Sequence, residues 1–123
     1  MLADRRVYAT IPAADLDRAR RWYEEKLGLT PRTSEEVGLI YELGEGTGFL
    51  LYPTSFAGSA ANTLASFSST DVEGDVAALE ERGVVFEEYD LPGLKTKNHV
   101  ATFGARHGAW FKDSEGNILA LGD

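Results

Sequence analysis

Apolar positions along the chain switch between strand spacing and helical spacing, and the switch occurs twice. Val7–Ile11 is rich in β-branched and aromatic residues; Asp15 then stands as an N-cap, and Leu16, Ala19, Tyr23 and Leu27 recur at helical spacing until Gly28 ends the run. Three short strands are predicted next, over Arg32–Glu36, Leu39–Leu43 and Gly48–Pro53, with Gly38, Gly44 and Gly46 in the breaks. The pattern then restarts. Thr63–Ser69 has strand character, Asp71 is an N-cap, Val72, Val76 and Leu79 share a helical face, and Gly83 stops it. Strands are predicted at Val85–Tyr89, Val100–Phe103, Ala109–Lys112 and Ile118–Leu121, with a loop over Pro92–Asn98. Asp71 lies 56 residues after Asp15, and at that offset Leu16 meets Val72 and Tyr23 meets Leu79.

The expectation is an α+β fold of two tandem βαβββ modules, about 1–57 and 60–123, within the single domain 1–123. Each module has one amphipathic helix to cover one face of its sheet. The other faces then form an open, curved mixed sheet with a concave cup, and an apolar cup of that size implies something to hold.

Composition narrows the partners. At 43% hydrophobic residues and with no apolar run of membrane-spanning length, the chain is not expected to enter a membrane. Asp4, Arg5 and Arg6 interrupt any export leader at once, so a cytoplasmic setting is expected. There is no cysteine, which excludes disulfides, thiolate metal sites and cysteine nucleophiles. The net charge is −8, and residues 1–40 hold seven basic and seven acidic residues, so all the excess lies beyond them. Nucleic acid is therefore not an expected partner, because a polyanion would meet repulsion and not counterion release. A solvated surface explains the acidity, with attraction of a cationic small ligand as the second reading.

Three motifs carry a resemblance. Asp113-Ser114-Glu115-Gly116-Asn117 makes a turn between Ala109–Lys112 and Ile118–Leu121, and the segment resembles the closing motif Phe-x-Asp-Pro-Asp/Glu-Gly-Asn-x-Leu-Glu-Leu of the vicinal oxygen chelate superfamily, which includes glyoxalases, bleomycin-resistance proteins and extradiol dioxygenases. Ile11–Tyr23 with Leu27-Gly28-Leu29 is similar to the first-module signature, and Thr70–Glu73 with Leu79 and Gly83 to the second. Together they cover almost the entire chain. The resemblance also implies where a metal would be held: seven residues before each capping Asp, at Tyr8 and Leu64, and at the penultimate Glu of the closing motif, here Ala120. A carboxylate near Pro53 can add to the set, but that strand ends Phe49-Leu50-Leu51-Tyr52. No metal and no cofactor is therefore expected. His99 and His107 could rebuild a site with Asp113, but loop and turn positions explain both histidines better; His99 remains a candidate at the cup rim, able to bind ligand or move a proton.

Strand alternation, anchored at Tyr8 and Leu64, points Tyr8, Thr10, Leu64, Ser66, Ser68, Trp110, Ile118 and Ala120 into the cup. Val7, Ala9, Ile11, Ala65, Phe67, Phe111, Leu119 and Leu121 go beneath the helices. Tyr41, Phe49, Tyr52, Phe56 and Phe103 join Tyr8 as candidate aromatic lining, about half of them expected in the core instead. Ser66, Ser68 and Ser69 have no His at triad spacing, and Gly44–Gly48 lacks the Lys of a phosphate loop. The expectation is a metal-free protein that sequesters a planar, largely apolar aromatic ligand such as an antibiotic or natural product. The alternative is an enzyme using Tyr8 or His99 as general acid or base without metal, and behind it a metal-dependent isomerase, lyase or dioxygenase. The family resemblance further implies a homodimer.

Overall fold

The computed structural model describes residues 1–123. The first half runs β1 (Ala9–Ala13), α1 (Leu16–Leu27), β2 (Thr33–Glu35), β3 (Gly38–Glu42) and β4 (Gly48–Pro53). The second runs β5 (Thr63–Ser68), α2 (Val72–Glu81), β6 (Asp90–Leu91), β7 (Leu94–Lys97), β8 (Val100–Phe103), β9 (Arg106–Lys112) and β10 (Ile118–Gly122). They form two open mixed sheets, ordered β1-β4-β3-β2 and β5-β10-β9-β8-β7-β6. In each sheet the first and last strands of that half pair in parallel and the remaining pairs are antiparallel. The result is an α+β fold with an internal repeat.

Helix ends are specified by the residues that the sequence pattern singles out. Asp15 Oδ1 accepts the Arg18 N–H at 3.0 Å, and Asp71 Oδ1 accepts the Gly74 N–H at 3.0 Å. Gly28, at φ 69, lets the Leu29 N–H reach the Tyr23 carbonyl at 3.0 Å, closing α1. Arg82, just past α2, donates to the carbonyls of Lys26 (3.1 Å) and Glu24 (3.3 Å), so one helix caps the last turn of the other.

One core of 17 buried residues draws on both halves, joining Ile11, Leu39 and Leu51 to Val76, Phe86, Phe111 and Leu119. Trp22 of α1 stacks on Phe111 of the second sheet at 6.2 Å, while Tyr23 packs on Tyr41 and Phe49 of the first. Both helices thus cover the same side of the molecule. The opposite face of each sheet is free of helix. No helix is long and apolar enough to cross a membrane.

The structure corrects three local expectations. β1 begins at Ala9, two residues later than the alternation suggests, so Val7 stands ahead of the sheet and is 90% exposed. Residues Val85–Tyr89 are extended but form no strand: the segment meets β9 through one bridge, Phe86 to Phe111, and through the Glu87 N–H to the Trp110 carbonyl at 2.8 Å. A strand, β7, forms instead inside the expected Pro92–Asn98 loop, because Pro92-Gly93 closes a tight turn (Gly93 φ 78) that pairs it with β6. Asn98 (φ 53) and His99 (φ 71) then supply the two left-handed residues of the turn from β7 to β8.

Candidate functional site

In the first sheet, register decides which side chains escape the helix. Thr10 pairs with Leu50, and Leu50 with Ile40, so these three share the helix-free face. Ahead of β1, residues Arg6–Tyr8 run beside this face and wall a groove of about 450 Å³, whose lining also includes Arg32, Val37, Glu42 and Gly46. Arg6 donates to the Gly46 carbonyl, which fixes the N-terminal segment against the turn between β3 and β4. Arg32 Nε lies 3.0 Å from Glu42 Oε2 at the other side. Tyr8 is 61% exposed in this wall.

In the second sheet, Ala120 pairs with Ser66 on one side and Trp110 on the other, placing all three on the helix-free face. Trp110 meets Tyr89 at 5.7 Å and 74°, and Phe103 at 6.3 Å and 87°. Edge-to-face contacts of this kind hold a ring in place beyond simple area burial. Burial, reinforced by the charge of Glu87, raises the Tyr89 hydroxyl pKa. Sequence alternation did not reveal Tyr89, since its segment forms no regular strand and meets the sheet at a single bridge, Phe86 to Phe111. Thr10, Ser66 and Ser68 are exposed, Leu64 is half-buried against the core's margin, and Ala120 is buried.

Two candidate aromatics, Tyr41 and Phe49, reach the groove lining from within the core. Tyr41 and Phe49 are 2% and 5% exposed and stack at 4.5 Å beneath α1. Their pairing with each other, and of Phe49 with Ala9, puts them on the Ile11 side of the sheet. The Tyr41 hydroxyl has no partner, and burial pushes its pKa to about 12.

His99 also lies away from the helix-free face. Its backbone N–H donates to Glu88 Oε1 at 2.6 Å; ring Nδ1 touches the same oxygen at 2.8 Å but off the line of a hydrogen bond, and Nε2 is 3.7 Å from Glu80 of α2. It lines a separate groove of about 550 Å³ against α2, together with Glu73, Val76 and Val100. The Thr96 hydroxyl and then the His99 N–H hold the Glu88 pKa below the ordinary carboxylate value. His107 is engaged by Asp123, Nδ1 to Oδ2 at 2.7 Å, which lowers the Asp123 pKa. His99, His107 and Asp113 do not converge, and no three His, Cys, Asp or Glu side chains cluster as a metal site requires. Tyr8, Leu64 and Ala120, at the positions implied for metal ligands, supply no His or carboxylate, and neither does the strand Phe49–Tyr52. The residues present do not fit the metal of the family.

The polar turn between β9 and β10 proves to be structural. Asp113, Glu115 and Asn117 are all buried. Asp113 accepts from the Tyr23 hydroxyl (2.6 Å), from the N–H groups of Glu115 (2.9 Å) and Asn117 (3.0 Å), and from Asn117 Nδ2 (2.9 Å). Asn117 also donates to the Pro12 carbonyl at 2.7 Å and accepts the Gly58 N–H at 3.2 Å. Glu115 takes two hydrogen bonds from Arg18 and one from the Asp15 N–H, each 2.9 Å. Burial opposes its charge, but Arg18, the Asp15 N–H and the Ser114 hydroxyl outweigh that and bring the pKa down to about 2. In effect Glu115 completes the N-terminal cap of α1 from 100 residues away.

Comparison with known proteins agrees with this architecture. The crystal structure of UcmS2 matches with a TM-score of 0.75 at 19% identity, over 97% of both chains. A glyoxalase family protein from Enterococcus faecalis matches over the whole of both chains, with a TM-score of 0.73 and 19% identity. TnmS3, described as an antibiotic binding protein from Streptomyces sp. CB03234, has a TM-score of 0.65 and 23% identity, covering 96% of this chain and 95% of its own. No curated protein sequence is significantly similar. The sequence profile of one family matches residues 5–121, nearly the full length, and the chain therefore belongs to the glyoxalase/bleomycin resistance protein/dioxygenase superfamily.

Proposed function

We propose that the protein binds a planar, largely apolar small molecule, of the kind an antibiotic or natural product presents, on its helix-free side and releases it unchanged. The observation that carries this reading is the groove over the first sheet: at about 450 Å³ it falls within the usual size of small-molecule sites, with Ile40 and Leu50 beneath and Val7, Tyr8 and Val37 around it. Trp110, with Tyr89 and Phe103, adds an aromatic surface on the helix-free face of the second sheet, and Thr10, Ser66 and Ser68 offer hydroxyls for orientation. The structural likeness to an antibiotic binding protein supports the reading. N-phenyl-1-naphthylamine, planar and uncharged, is a suitable probe. Its fluorescence should rise to saturation at a fixed stoichiometry, and mass spectrometry should recover it intact; absence of saturable binding contradicts the proposal.

Tyr8 in the groove wall gives the enzymatic alternative its one specific support. Such an enzyme would convert excess substrate and lose turnover on Tyr8→Phe. We also propose a homodimer, because Phe56, Val85 and Leu91 leave apolar surface exposed outside the groove. Sedimentation at micromolar concentration should show a dimer; a monomer there contradicts it.

A further inference from the structure

We propose that the groove over the first sheet selects an anionic ligand, holding its oxyanion, a carboxylate, phenolate or sulfonate, between Arg6 and Arg32 while its apolar body lies on Ile40, Leu50 and Val37. The inference rests on the small-molecule reading of the same groove and adds the class of ligand. The chain as a whole carries a net charge of −8, which favours cations. The groove does not share that balance: its lining contains two arginines and one acid, Glu42. Glu36 and Glu45, beside the lining residues Val37 and Gly46, are exposed and solvated, so the charges that can touch a seated ligand directly are those of Arg6, Arg32 and Glu42.

The two guanidinium groups are also only partly engaged. Arg6 makes its contact with a neutral acceptor, the Gly46 carbonyl, so its charge has no carboxylate partner. Arg6 packs closely over Gly46, whose φ of 74 favours glycine: an added Cβ would stand 3.3 Å from Arg6 Nη2. Arg32 meets Glu42 through Nε, with both side chains largely exposed, at 61% and 49%. That contact leaves Nη donors of Arg32 available, and a planar guanidinium matches the geometry of an oxyanion. Glu42 then acts as an internal competitor that an incoming anion displaces.

The test compares 8-anilinonaphthalene-1-sulfonate with N-phenyl-1-naphthylamine, which share an apolar body and differ by the sulfonate. Wild type should bind the sulfonate about tenfold more tightly. Combining Arg6→Gln with Arg32→Gln should erase that preference, read as the ratio of the two probes' affinities within the variant. Glu42→Gln should tighten the sulfonate and not the neutral probe, an outcome that loss of folding cannot imitate. Arg21→Gln, exposed on α1 outside the groove, should change neither. Equal binding of the two probes, or a preference for the sulfonate that survives the double substitution, overturns this inference alone. Binding of neither probe overturns the small-molecule reading as well.

Discussion

The turn from β3 to β4 and the turn from β9 to β10 occupy equivalent places in the repeat, yet they have opposite characters. Residues 43–47 bury no polar side chain and are held by the Leu43 N–H to the Thr47 carbonyl (2.8 Å), the Thr47 N–H (3.1 Å) and hydroxyl (2.7 Å) to the Gly44 carbonyl, and Arg6 to the Gly46 carbonyl. Glu45 sits there at φ 57, exposed. Residues 113–117 bury three polar side chains and satisfy them with partners from β1, α1 and the linker between the halves. Even the linker is fitted to it: at Gly58 (φ 77) an added Cβ would lie 2.5 Å from the Glu115 carbonyl oxygen. The difference shows how one repeated unit can divide its work. The second turn fixes the seam between halves, and the first, with only exposed polar side chains, holds Arg6 at the rim of the groove.

The largest effect that should distinguish them is on stability. Asp113→Ala removes an acceptor of four hydrogen bonds and leaves the Tyr23 hydroxyl and Asn117 amide short of partners inside the protein, at an expected cost of about 3–5 kcal/mol in denaturant unfolding. Glu45→Ala in the other turn should stay within about 0.5 kcal/mol. Similar values for the two would break the comparison.

A second effect is its pH dependence. The folded-state pKa of Glu115, about 2, lies below its ordinary 4.5, so its stabilisation is fully present above pH about 4.5 and is lost as pH falls toward 2. On the order of 2–3 kcal/mol should disappear over that window, allowing for the half-exposed Arg18 partner. Glu115→Gln should remove this part of the slope; an unchanged acid profile would show that the Arg18 contact is not what sets it. The smallest expected effect concerns Trp110. Trp110→Ala should leave the fold intact and weaken binding of N-phenyl-1-naphthylamine by about 1–3 kcal/mol if the second sheet contributes to the site, and by nothing if the groove alone does.

Much of the fold is legible in the sequence, because caps and periodicity are local signals. Asp15, Gly28 and Asp71 act where the pattern places them. The side chains on the helix-free face are harder to read. Phe49-Leu50-Leu51-Tyr52 is apolar throughout, so alternation cannot say which residues face the helix, and only the register with Ala9 and Thr10 turns Phe49 toward the core and Leu50 toward the helix-free face. Arg6 and Arg32 gave no signal, since solvated arginines are common and only tertiary structure brings these two to one groove. The polar turn misleads in the opposite direction. Asp, Ser, Glu, Gly and Asn predict a turn correctly, but nothing local tells that three of its side chains are buried.

The most direct test of the account is amide chemical-shift mapping with N-phenyl-1-naphthylamine, because it sets the helix-free groove against the groove beside α2 in one measurement. Binding in the helix-free groove should give saturable shifts at Tyr8, Ile40, Thr47 and Leu50, with Val76, Glu80 and His99 unmoved. Shifts concentrated around His99 and α2, or none that saturate, would contradict it.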